Sequence, residues 1–245
     1  MNRPRLAVSA RGDKLVAKTN ANTPEIGPEA ARERDQNGVL ASQISIAQGL
    51  PCLPSIEGRW LEEGKWVQGT LTPWQSGCRT LVEFPASRLT NPDQAVALVI
   101  WREFLGDGDA NATNYLVRES TGQIMAIDLD KAFMGIFPIK SSAFQEILRL
   151  YATPARVEPV LYKISQLTDE KLILLLDQLG PKWNRSWSPM KREKLLQHLV
   201  RNRDLLTREN PYAHYYSLSA PWFVPLREEI TESAGDSRVQ EPPNR

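Results

Sequence analysis

Three oxygen-bearing side chains stand at suggestive spacing in this chain: Asp109, Asn114 five residues later, and Asp128. Asp109 and Asn114 lie in a polar run, Gly106-Asp107-Gly108-Asp109-Ala110-Asn111-Ala112-Thr113-Asn114. Two short apolar runs follow, Tyr115-Leu116-Val117 and Ile124-Met125-Ala126-Ile127, around the turn residues Ser120-Thr121-Gly122. They read as a hairpin. A hairpin brings its ends back together, so Asn114 at its start and Asp128 at its end are expected side by side, with Asp109 leading into the same place. Hard oxygen donors of this kind suit Mg²⁺, which is commonly held by one or two carboxylates together with substrate phosphates. A calcium loop of the EF-hand type does not fit, because the glycine at its sixth position and the closing glutamate at its twelfth are missing.

The order Asp, Asn five residues on, hairpin, Asp is similar to the catalytic machinery of protein kinases. That similarity implies that Asp109 orients or deprotonates the acceptor hydroxyl, while Asn114 and Asp128 bind metal. Earlier in the chain, Leu15-Val16-Ala17-Lys18 resembles the kinase strand whose lysine holds the α- and β-phosphates. The similarity further implies a glutamate that positions Lys18 by an ion pair, Glu33 first and Glu29 second, both on a helix expected after Pro28. Lys14, on the same strand face, is the weaker candidate for the phosphate lysine.

Two stretches narrow the resemblance. Lys14 to Pro51 resembles the small lobe of HipA-like kinases and, more distantly, of phosphatidylinositol kinases: a strand ending in lysine, a gap, a helix with Glu33, then Gly49-Leu50-Pro51. Trp101 to Phe133 resembles their catalytic stretch, with Asp109, Asn114, Ile127-Asp128 and Ala132-Phe133. The resemblance spans roughly residues 6–137. It implies a bilobal protein-kinase-like fold, a small mixed lobe over residues 1–75 and a mainly helical catalytic lobe over 76–227. It also implies ATP and Mg²⁺ in the cleft and a hydroxyl acceptor, a protein serine or threonine. Three positions depart from the pattern. Asn111 stands where a histidine is usual, Arg11-Gly12-Asp13 replaces a glycine-rich loop, and Asp130 stands where many kinases have glycine. The alternatives are a pseudokinase that binds nucleotide without turnover, a lipid kinase, and nucleotidyl transfer on the same fold.

The elements that must position these residues follow from hydrophobic pattern and turn chemistry. Short strands are expected at Arg5–Ser9 and Lys14–Lys18 around Ala10-Arg11-Gly12-Asp13. Val39, Leu40, Ile44 and Ala47 recur at helical spacing, and Gly49 with Pro51 ends that helix. Arg59–Leu61 and Trp66–Gln68 flank a turn, and Gly69 to Gly77 reads as the connector between lobes. Pro92 to Phe104 reads as a buried helix capped by Asn91. Further helices are expected over 142–152, 155–167, 169–179 and 189–208, and the polar tail from Glu228 reads as disordered. The arrangement is α+β.

Composition sets outer bounds. Thirty basic against 29 acidic residues leave a net charge of +1, which gives no field for nucleic acid. Cys52 and Cys78 form no Cys-x-x-Cys pair, and with only His198 and His214 they make no zinc pattern. The two cysteines read as reduced thiols of a cytoplasmic protein. The start of the chain shows no apolar signal region, and the longest apolar run, Ala95 to Trp101, is far below the ~20 residues of a membrane span. The histidines, the aromatic group from Trp183 to Phe223 and the basic stretch Lys191 to Arg203 read as packing and solvated surface.

Overall fold

The computed structural model describes residues 4–208 except 22, 24, 110, 135–141 and 184–186. The tail from Glu228, His214 and the aromatic residues from Tyr212 onward lie outside the described residues. What is described is an α+β arrangement with two small antiparallel sheets and six α-helices.

The first sheet has four strands, β1 (Arg5–Val8), β2 (Lys14–Lys18), β3 (Ile56–Glu62) and β4 (Lys65–Pro73), in the order β1-β2-β4-β3. Residues 69–73, read from sequence as connector, are the second half of β4. Lys18 pairs with Thr70 and Leu15 with Pro73. Thr70, Leu71 and Thr72 suit a pleated strand, and the proline sits at its end, where its missing N–H matters least. Gly69 permits the pairing. A Cβ there would lie 2.1 Å from the Lys18 carbonyl oxygen. Helix α1 (Pro28–Ala47) packs on β3 and β4 through one face and on the helical part through another. Leu40 and Ile44 on that second face are fully buried in the main core.

The second sheet has three strands, β5 (Cys78–Thr80), β6 (Tyr115–Arg118) and β7 (Ile124–Ala126). It precedes and surrounds α2 (Pro92–Leu105) in the chain, followed by α3 (Ser142–Tyr151), α4 (Pro154–Ser165), α5 (Asp169–Trp183) and α6 (Pro189–Arg208). Helix α2 is the hub. Leu98, Ile100, Trp101, Phe104 and Leu105 are all buried, and α3, α4, α6 and β7 pack around it. Its apolar surface on nearly every side is what such a position requires. Asn91 does not cap α2 with its side chain. Its carboxamide oxygen instead accepts the Ile124 N–H at 3.0 Å and ties the helix start to β7. Among the described residues no helix is long and apolar enough to cross a membrane.

Candidate functional site

The hairpin of β6 and β7 sets the first half of the site. Tyr115 pairs with Ala126, and the Ile127 N–H extends the ladder to the Asn114 carbonyl at 2.8 Å. Asn114 and Asp128 therefore emerge from neighbouring ends of one hairpin. Asp128 has φ +55°. That left-handed conformation is unusual for a residue with a side chain and is best tolerated by Asn and Asp. Such conformations concentrate at functional sites. The turn it makes swings Asp130 back toward the same point.

The loop after α2 sets the second half. Gly106, with φ +64°, ends the helix in the left-handed cap that glycine adopts freely. Asp107 is fully buried, at 0% side-chain exposure, and forms an ion pair with the buried Arg102. The Arg102 guanidinium lies over the rings of Tyr115 and Phe144, at 5.2 and 5.7 Å, and also donates to the Asp109 carbonyl. Asp107 in turn accepts the Asp109 N–H at 3.0 Å. The loop is stitched to the segment after Asp128 by three backbone bonds: Gly108 N–H to Lys131, Phe133 N–H to Leu105 and Met134 N–H to Gly106, at 3.0, 2.8 and 3.0 Å. The result is that Asp109, at 27% side-chain exposure, faces outward from a fixed backbone, with the Lys131 ammonium 3.2 Å from its carboxylate. Of the two loop acids, Asp107 is structural and Asp109 is the one a ligand can reach.

Lys18 closes the site from the first sheet. Its ammonium lies 2.5 Å from Asp128 and 3.0 Å from Asp130. Glu33, expected beside it, is elsewhere. Its nearest basic partner is Lys194 of α6, at 4.0 Å. The reason is rotational. Glu33 is seven residues, about two turns, before Leu40, so it shares the stripe that faces the helices rather than the sheet. The acid of α1 on the sheet side is Asp35. It accepts the Asn20 amide at 2.7 Å, and the same Asn20 nitrogen donates to Asp130 at 2.9 Å. Gly38 lets α1 touch this segment, since a Cβ there would lie 3.0 Å from the Asp130 Cα. Lys14, the weaker phosphate-lysine candidate, is exposed.

Burial and charge tune these groups. Burial pushes the Asp35 carboxyl up to about 7, against the Asn20 hydrogen bonds that favour its ionised form. Burial likewise pushes Asp107 up to about 6, with Arg102 opposing. Asp128 is raised by burial and by the neighbouring Asp130, with Lys18 opposing. For Lys18, burial alone would favour the neutral amine, but the carboxylates of Asp128 and Asp130 outweigh it and raise its pKa.

Lys18, Asn114, Asp128 and Asp130 line a cleft of about 560 Å³ between the two sheets, and Asn20, Asp35, Asp107 and Asp109 lie outside its lining. Val16, Trp74, Leu116 and Ile127 give it apolar walls, and Lys18, Asn114, Asp128 and Asp130 give it a polar end. That combination is the ordinary constitution of a small-molecule site. The β1–β2 turn adds little to it. The Arg11 and Asp13 N–H groups are bound to the Ser9 hydroxyl, and the Gly12 N–H to the Ser9 carbonyl. Among the described residues no group of three or more His, Cys, Asp or Glu side chains could hold a metal ion alone. A Mg²⁺ ion shared with phosphates does not need one. The donor set fits that case, with oxygen donors at Asn114 and Asp128, and Asp130 keeps a buried carboxylate oxygen, Oδ1, without a partner; the unpartnered atom of Asn114 is its amide nitrogen, Nδ2, which is no metal ligand.

The sequence reading named Lys18, Asp109, Asn114 and Asp128. The residue pattern gives no sign of Lys131, Asn20, Asp35 or the Arg102–Asp107 pair, and it marks Asp130 only as a departure from the glycine usual there. No family model matches the chain, and no similar curated protein is found.

Proposed function

We propose that this chain is an ATP-dependent phosphotransferase with a bilobal, HipA-like kinase architecture, transferring the terminal phosphoryl group to a hydroxyl acceptor. The observation that carries the reading is the meeting in one cleft of groups from two separate parts of the chain, with an acid from a third beside them. Lys18 comes from β2 and Asn114 and Asp128 from the hairpin, all three lining the cleft, while Asp109, from the loop after α2, stands beside it, close enough to Asp128 to raise its pKa. Order along the chain and position in space both agree with phosphoryl transfer, in which positioning and charge neutralisation supply most of the catalysis.

In this reading the adenine lies between Val16 on one side and Leu116 and Ile127 on the other. Lys18 leaves Asp128 to hold the α- and β-phosphates. Asn114 and Asp128 would hold Mg²⁺, which when bound neutralises charge on the phosphate oxygens. Asp109 orients the acceptor hydroxyl and takes its proton. The hydroxyl oxygen forms its bond to the γ-phosphorus as the bond from that phosphorus to the bridging oxygen breaks, and ADP departs with the electron pair. Lys131, beside Asp109, supplies a positive charge at the transfer point.

A second reading, a nucleotide-binding module without turnover, is favoured by the β1–β2 turn. Its satisfied N–H groups leave no backbone cradle for a terminal phosphate. Mass spectrometry of the protein after incubation with ATP and Mg²⁺ separates the possibilities. Added phosphate marks phosphoryl transfer, added AMP marks nucleotidyl transfer, and MgATP binding with neither marks the binding module.

A further inference from the structure

The two carboxylates that share Lys18 are not equivalent. Asp128 keeps 27% side-chain exposure toward the cleft, whereas Asp130 keeps 6%. Asp130 is also braced from behind. One Asn20 amide nitrogen donates to Asp130 at 2.9 Å and to Asp35 at 2.7 Å. Both of its hydrogens are thereby used, and turning the amide over would set its oxygen against two acids, so the orientation is fixed. The Asn20 backbone N–H adds a third tie, to Asp35 at 3.3 Å. Gly38 of α1 lies directly against the Asp130 backbone.

We propose that Asp130, held by Asn20 and Asp35, is the positioning residue for Lys18, the task expected of a glutamate on α1. The proposal rests on the nucleotide reading above. When nucleotide and metal occupy the cleft, Asp128 is needed for the metal, and Lys18 loses one of its two partners. Asp130 remains. It is buried, it is oriented by a neutral amide, and its attachment to α1 passes through Asn20 to Asp35. Helix α1 therefore reaches the phosphate lysine through a chain of hydrogen bonds, not by a direct ion pair. Glu33, facing Lys194, takes no part.

The test is a double-mutant cycle on the full chain with Lys18→Met and Asp130→Asn. It is read twice, by calorimetric affinity for MgATP and by urea unfolding without nucleotide. Asp130→Asn is expected to weaken MgATP binding about tenfold, the scale of one charge-assisted hydrogen bond. In the Lys18→Met background it should cause no further loss. An acid that merely repelled phosphate would show the opposite sign, and its removal would tighten binding in both backgrounds. Asn20→Ala, which leaves both acids in place, should weaken binding in the same Lys18-dependent way, and Glu33→Gln should stay within about twofold. The urea cycle should show the same pair coupled without nucleotide. A wild-type chain that binds MgATP while the affinity cycle is additive overturns the Asp130 assignment alone. A wild-type chain that takes up no MgATP overturns the nucleotide reading and the role of Asp130 toward nucleotide with it.

Discussion

Two loop acids two residues apart have opposite environments, and this separates their roles by experiment. Asp109→Asn should leave MgATP affinity nearly unchanged while lowering transfer at least ~100-fold, the scale of a lost general base. Product assay and calorimetry on the same preparation check the split. Asp107→Ala should instead unfold the protein at lower urea, by about 3–5 kcal/mol, because it strands the buried Arg102 charge. Asp35 gives a second prediction at this scale. Its folded pKa of about 7 lies above the ordinary carboxylate value, so between pH 4 and 7 the folded state holds more protons than the unfolded one. Stability from this group therefore falls as pH rises through that window, by up to about 1.4 kcal/mol per pH unit. Asp35→Asn keeps the shape and cannot ionise. Urea unfolding between pH 4.5 and 7.5, a range of about 3 units in which this group titrates, should show a flatter decline for the variant than for the wild type. Equal slopes would mean that Asp35 is not buried against Asn20 as described.

At the scale of elements, glycines decide how closely the parts approach. Gly69→Ala should cost about 1–3 kcal/mol or more, because its Cβ meets backbone, the Lys18 carbonyl, and not a side chain that can move aside. The same change should weaken MgATP binding, since the strand it displaces carries Lys18. Thermal unfolding and calorimetry together test this. Much at this level was legible in the chain. Pro92 and Gly106 bracket α2, the apolar runs around Thr121-Gly122 give the β6–β7 hairpin, and α6 runs over the residues its pattern marks. Other features left no local trace. The run Gly69 to Gly77 looks like a linker, yet its first half is strand, because pairing with β2 rewards Thr70 and Thr72 more than the glycine and proline cost. The strand β5 is only three residues long and exists through its pairing with β6. The partner of Lys18 escapes the sequence pattern for a related reason. Periodicity finds a helix but not which of its buried stripes faces the sheet, and α1 has two. Its sheet-facing stripe carries Asp35, Gly38 and Ser42, so the apolar pattern led to the other. Asp130, next in line after the Ile127-Asp128 signature, was visible, but its burial and its bond to Asn20 depend on a contact 110 residues apart.

Over the whole molecule, the four-stranded sheet supplies Lys18, the hairpin of the three-stranded sheet supplies Asn114 and Asp128, and the helical core fixes the loop that carries Asp109. The helical core is the more extensively buried part: Phe104, Leu105, Ile147, Leu148 and Ile164 are all at 0% exposure. Loss of Phe104 by Phe104→Ala should cost about 3–5 kcal/mol. The cleft itself is bounded by both sheets, so a ligand in it would meet residues of both. The most direct test of the central claim is calorimetric titration of the full chain with ATP, in Mg²⁺ and in EDTA, for the wild type, Lys18→Met and Asp128→Asn. Saturable binding in Mg²⁺ that EDTA weakens is expected for the wild type. Lys18→Met should weaken binding under both conditions, by about tenfold or more, and Asp128→Asn should remove the difference between Mg²⁺ and EDTA. Equal binding by all three proteins in Mg²⁺, or none by the wild type, would contradict it.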